Sequence, residues 1–157
     1  MTDEATLADG SAPATPDDLF TRLDALGIDT RTVDHAPVFT VEEAKALRGE
    51  LPGGHSKNLF LRNKKGRMWL LVCAEDTPVD LKALGAQLGA GRLSFGSARR
   101  LMENLGVIPG AVTPFAVIND RAGAVRVAIE RRLLELSPLN FHPLDNSRTT
   151  AVEPRAL

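Results

Sequence analysis

The chain has 157 residues with one cysteine, one tryptophan and no tyrosine. A single cysteine excludes an internal disulfide and gives no sign of an oxidising compartment. So few large aromatic rings argue against a platform on which bases stack. No stretch approaches the roughly 20 apolar residues of a membrane span. Met1-Thr2-Asp3-Glu4 is acidic with no apolar run, so it does not read as a signal peptide. These absences point to a cytoplasmic protein with no membrane partner. Net charge is lacking too: 19 basic against 20 acidic side chains leave −1. That disfavours holding long nucleic acid by bulk electrostatics. A local basic patch could still hold one terminus or one stem. Lys45, Arg48, Lys64, Lys65, Arg67, Arg99 and Arg100 form such a rim or are ordinary solvated faces.

What is present is ordinary for one globular domain: 43% hydrophobic and 25% charged residues. At this length roughly 70% of the unfolded chain's surface can be buried, so no staple is needed. Residues 1–15 are mostly small, polar or Pro and read as a disordered leader before a domain at 16–157. Thr15-Pro16-Asp17-Asp18 opens a helix carrying Leu19, Phe20, Leu23 and Leu26, and Gly27 stops it. A short strand spans Asp29–Asp34. Thr40 to Glu43 is a capping box for a helix to about Arg48. Lys57–Arg62 and Met68–Ala74 flank a polar connector with Gly66, which predicts a β-hairpin. Thr77–Asp80 opens a further helix, Arg92–Phe95 is a short strand, and Ser97 caps a helix to about Leu105. Strands follow at Pro114–Asn119 and Ala124–Ile129, helical turns at Arg131–Leu136, and closing strands at Leu139–His142 and Thr149–Val152. With no regular βαβ alternation, the fold class is α+β, with a central mixed, mostly antiparallel sheet flanked by helices.

The three histidines, His35, His55 and His142, have no metal-ligand spacing. Cys73 sits in Trp69–Ala74 and reads as a buried small hydrophobe. Lys57 follows a Gly-rich loop at the start of an apolar strand. It either holds an ammonium at the mouth of a pocket or is a solvated edge lysine. Asn58 beside it can donate and accept hydrogen bonds, or serve a turn. Gly106-Val-Ile-Pro-Gly110 either presents backbone N–H groups to an oxyanion or is a helix stop and turn.

Taken together, four stretches resemble the free-standing, YbaK-like editing domains related to the insertion domain of bacterial prolyl-tRNA synthetase. They are His35–Ala44, Gly54–Leu61, Gly106–Phe115 and Asn140–Asn146 with Thr149-Thr150, in the family's order. The branch most similar deacylates Ala-tRNA(Pro). The resemblance implies metal-free and cofactor-free hydrolysis of the ester between an amino acid and the tRNA 3′ ribose. It implies mischarged tRNA as partner, with prolyl-tRNA synthetase as a further one. Lys57, Gly110 and His142 take the catalytic positions. Asn58, Gly106, Pro109, His35, Thr40, Phe39 and Ser94 are taken as substrate-binding, the last two from their neighbourhood to the motifs, as is Val33 for the pocket. Ser56, Ala111 and Glu130 stand where Thr, Ser and Asp are frequent. The alternatives are a deacylase for another mischarged tRNA, Cys-tRNA(Pro) or Ser-tRNA, and a non-catalytic tRNA- or synthetase-binding protein.

Overall fold

Strand β3, Met68–Ala74, is buried at every position. Its residues are apolar on both alternating faces, so both faces need a covering layer. The computed structural model describes residues 6–34, 54–120, 122–145 and 147–153. The helix expected from Thr40 to Arg48 lies outside them. The other strands are β1 (Thr30–Asp34), β2 (Gly54–Arg62), β4 (Ser94–Phe95), β5 (Val125–Ile129), β6 (Leu139–Phe141) and β7 (Arg148–Val152). They form one sheet in the order β1-β7-β6-β2-β3-β5, with β4 also paired to β2. β2 runs parallel to β6 and β3 parallel to β5, while the remaining pairings are antiparallel. The expected α+β class and mixed sheet are therefore observed.

The first covering layer holds helices α1 (Pro16–Ala25) and α3 (Ala98–Leu105). Leu19, Leu23, Leu101 and Leu105 pack with Phe60, Leu70, Val72, Leu139 and Phe141. Helix α2, Leu81–Gln87, lies on the other face, where Leu81 and Leu84 meet Leu61, Trp69, Leu71 and Cys73. Each helix starts on a side-chain cap. Thr15 and Asp18 close a reciprocal capping box, Asp80 accepts from Lys82 N–H, and Ser97 accepts from Arg100 N–H. In the predicted hairpin, Asn63 Oδ1 accepts from Arg67 N–H at 2.9 Å, and its Nδ2 donates to the Ala90 carbonyl at 3.0 Å.

One predicted strand is not a strand. Pro114–Asn119 is a 3₁₀ helix. A short apolar run does not distinguish strand from helix by periodicity. Here local chemistry decides: Pro114 needs no N–H partner at a first turn, and Thr113 Oγ1 accepts from Phe115 N–H at 3.3 Å. The strand expected at Arg92–Phe95 shortens to Ser94–Phe95.

Residues 6–15, within the stretch that composition read as a leader, contact the domain. Leu7 is 5% exposed, and Ala8 N–H donates to the Glu103 carbonyl at 2.8 Å. Among the described residues no helix is long and apolar enough to cross a membrane.

Candidate active site

β2 has two flanks, and the pairing along them differs. β3 covers one flank from Ser56 to Arg62. On the other, β6 pairs only at Gly54 and His55, and β4 only at Leu61 and Arg62. Phe60 still uses its carbonyl there, accepting from Gly96 N–H at 2.9 Å. Ser56 to Leu59 therefore have no strand partner on that flank among the described residues. Among the described residues this leaves a gap on one flank of β2, and Lys57 and Asn58 lie in the middle of it.

Strand alternation sends the two side chains to opposite faces. Lys57 is level with Cys73, which belongs to the α2 layer. Asn58 is level with Val72, which belongs to the layer of α1 and α3. Asn58 Nδ2 donates to Ser56 Oγ at 3.2 Å on the same face. Its Oδ1 is buried and has no hydrogen-bond partner among the described residues. Buried acceptors are paired almost everywhere in folded proteins, so an orphan points to a ligand or to stored strain.

The Lys57 face carries a cross-strand row. Glu130 follows β5 and donates its N–H to the Val72 carbonyl at 2.8 Å, which brings it level with Cys73. Glu130 Oε1 accepts from Ala74 N–H at 3.1 Å and from Thr77 Oγ at 2.9 Å. Burial pushes the Cys73 thiol up, the Lys57 ammonium draws it down, and the Glu130 carboxylate pushes it up again. The thiol is 2% exposed, in keeping with a buried apolar role. The sequence reading did not place Glu130 or Thr77 at the site. The sequence signal was an acid directly after a strand, whose neighbours only the β3–β5 pairing reveals.

His142 follows β6 immediately. Were the parallel pairing with β2 to continue past His55, His142 would come level with Lys57. His142 thus follows the end of β6 that borders the gap holding Lys57 and Asn58. His142 Nδ1 lies 2.9 Å from the Arg148 carbonyl, so Nδ1 carries the proton and Nε2 the lone pair in the neutral ring. The turn beyond it includes Leu144 at φ 72 and Asp145, whose Oδ1 accepts from Ser147 N–H at 3.0 Å.

The glycine loop lies on the Asn58 face. Gly106 caps α3 at φ 66, which is helix-stop geometry. Pro109–Ala111 forms a 3₁₀ turn with Pro109 and Gly110 exposed and Ala111 buried. Ser94 pairs with Arg62, five residues along β2 from Lys57, or about 16 Å at strand rise. It is not brought to Lys57. Val33 is level with Thr149 across β1 and β7. His35, Phe39 and Thr40 lie outside the described residues. Among the described residues, no three of His, Cys, Asp and Glu gather where they could hold a metal ion.

Comparison with known proteins agrees with this architecture. The family model described as "Aminoacyl-tRNA editing domain" matches residues 35–157. The chain is 41% identical over 132 residues to the prolyl-tRNA editing protein ProX of Acetoanaerobium sticklandii, covering 83% of this chain and 80% of that one. It is 38% identical over 138 residues to prolyl-tRNA synthetase associated domain-containing protein 1 of Mus musculus, covering 85% and 81%. The crystal structure of hypothetical protein APE2540 superposes with a TM-score of 0.72 at 21% identity, over 87% of this chain and 89% of that one. The protein belongs to the aminoacyl-tRNA editing domain family, as the sequence motifs implied.

Proposed function

We propose that the protein is a trans-editing aminoacyl-tRNA deacylase that hydrolyses the ester joining alanine to the 3′ ribose of tRNA(Pro). It would act in trans to prolyl-tRNA synthetase. The observation that carries this reading is the orphan Asn58 Oδ1 beside Lys57 in the gap of β2. Leaving a buried acceptor unpaired costs about 1–3 kcal/mol. A substrate donor, such as the α-ammonium of an aminoacyl group, would satisfy it.

The gap suits a substrate with two unlike halves. Lys57 on one face holds the phosphoribosyl end as a point charge. Asn58 on the other orients the aminoacyl end. Water oxygen bonds to the ester carbonyl carbon, and the carbonyl oxygen becomes an oxyanion to which the backbone N–H at Gly110 donates. The carbon–oxygen bond to the ribose then breaks. The ribose oxygen regains a proton and alanine leaves as a carboxylate. The proton of the attacking water passes through the ribose 2′-OH or a water held by substrate. His142 is assigned to the ribose end of the substrate. A pocket sized for alanine rejects proline sterically. A synthetase needs such help because a missing methylene discriminates by only about 1–3 kcal/mol.

The test is a panel of Ala-, Cys- and Ser-charged tRNA incubated with the wild type and with Lys57→Ala. Ala-tRNA(Pro) is expected to be cleaved fastest by the wild type and much more slowly by the variant. Faster turnover of Cys- or Ser-tRNA would move the specificity. Binding without turnover of any would overturn the enzyme reading.

A further inference from the structure

Residues 6–15 precede the stretch matched by the family model, yet they touch the start of the glycine loop. We propose that this segment is a strap that holds the Gly106–Gly110 loop in its working position, with Asn119 as the positioning residue between them. The proposal rests on the functional reading above, which assigns that loop to the ester.

Asn119 is 7% exposed, and both ends of its amide are used. Nδ2 donates to the Leu105 carbonyl at 2.9 Å. That carbonyl is in the last turn of α3, where the helix itself supplies no donor. Oδ1 accepts from Ala14 N–H at 2.8 Å. One side chain therefore joins the strap to the helix end directly before the loop. The contact is close on every side. A Cβ on Gly106 would lie 2.5 Å from Asn119 Nδ2 and 2.9 Å from Pro13 Cβ. The first residue of the loop is thus held between the strap and Asn119.

The far end of the strap is anchored separately. Leu7 is buried, and Ala8 N–H donates to Glu103. Between the anchors the chain turns on itself: Gly10 N–H donates to the Leu7 carbonyl at 2.9 Å, and Asp9 Oδ1 accepts from Ser11 N–H at 2.9 Å. The loop needs such support. Val107 and Ala111 are buried at 2% and 0%, but the crest between them is open, with Ile108 50% exposed. A segment fixed only at its ends opens locally at low free energy. The strap stiffens the end at Gly106.

Two full-length variants test this: Leu7→Asp, which unseats the anchor, and Asn119→Ala, which removes the joint. Native-state hydrogen exchange at Val107, Ile108, Gly110 and Ala111 is read against β3 amides in the same sample. Each variant is expected to speed loop exchange about tenfold while β3 is unchanged. With Ala-tRNA(Pro) as substrate, kcat is expected to fall about tenfold with KM within a factor of about two, as for a displaced transition-state donor. Unchanged loop exchange, or equal acceleration in loop and β3, overturns the strap. Faster loop exchange with unaltered kcat overturns the positioning role of Asn119. If Asn119→Ala does not fold, Leu7→Asp gives the same readouts. A wild type without deacylase activity would sink the functional reading but leave the exchange test of the strap intact.

Discussion

Lys57 and Cys73 lie directly opposite each other across β2 and β3, and Cys73 Sγ donates to the Lys57 carbonyl oxygen at 3.8 Å. The Lys57 ammonium is the one influence that draws the thiol down, against burial and Glu130. Lys57→Ala is therefore expected to push the thiol higher still. The check is the pH dependence of Cys73 alkylation by a small reagent in wild type and variant. A midpoint that moves down, or stays fixed, would show that the ammonium does not act on this thiol.

The same thiol makes stability depend on pH in a set direction. Its ionisation is raised in the folded state above the ordinary 9.0. The unfolded chain therefore releases this proton first as pH rises. The contribution is fully present below about pH 9 and is lost as pH climbs through the folded value. Urea midpoints at pH 8 and pH 10, compared between wild type and Cys73→Ala, check this. The fall from pH 8 to pH 10 is expected to be smaller in the variant.

Asn58→Ala separates stability from activity. The substitution removes a buried acceptor that has no partner among the described residues and sacrifices only a 3.2 Å bond to Ser56. Relief of the orphan, about 1–3 kcal/mol, offsets a lost bond worth about 0.5–1.5 kcal/mol. The urea midpoint is expected to hold or rise while deacylation falls. A clear loss of stability would show that Oδ1 is satisfied within the fold.

Gly85→Ala reverses a common rule. Within a helix, alanine is ordinarily better than glycine by about 0.5–1 kcal/mol. Gly85 lies inside α2, and a Cβ there would collide with the Gly91 carbonyl oxygen. Backbone cannot rotate away, so about 1–3 kcal/mol of destabilisation is expected. Thermal unfolding of the variant measures it. An unchanged or higher Tm would mean that the Gly89–Gly91 turn can give way.

Much of this fold was legible in the chain because its signals are local. Thr15, Asp80 and Ser97 are capping residues by their own chemistry, and each caps a helix in the structure. Asn63 to Arg67 turns the hairpin where the composition places a turn. Pro114–Asn119 misled because an apolar run without clear period serves a strand or a 3₁₀ helix equally, and Thr113 decides between them. Leu7 was invisible for another reason. A single leucine in a polar segment has no period, and only a cavity formed by distant residues can bury it.

The sequence by itself determined the family, the α+β class, and Lys57 and Asn58 as neighbours on an apolar strand. Each follows from short motifs or patterns, every one of them local in the chain. Tertiary structure alone decided that, among the described residues, Ser56 to Leu59 of β2 pair with β3 on one flank and with no strand on the other, because β6 and β4 stop short of each other. It also decided that Lys57 faces Cys73 and Glu130 while Asn58 faces the glycine loop's layer. Pairing register between strands far apart in sequence sets those neighbours, and no local pattern encodes it.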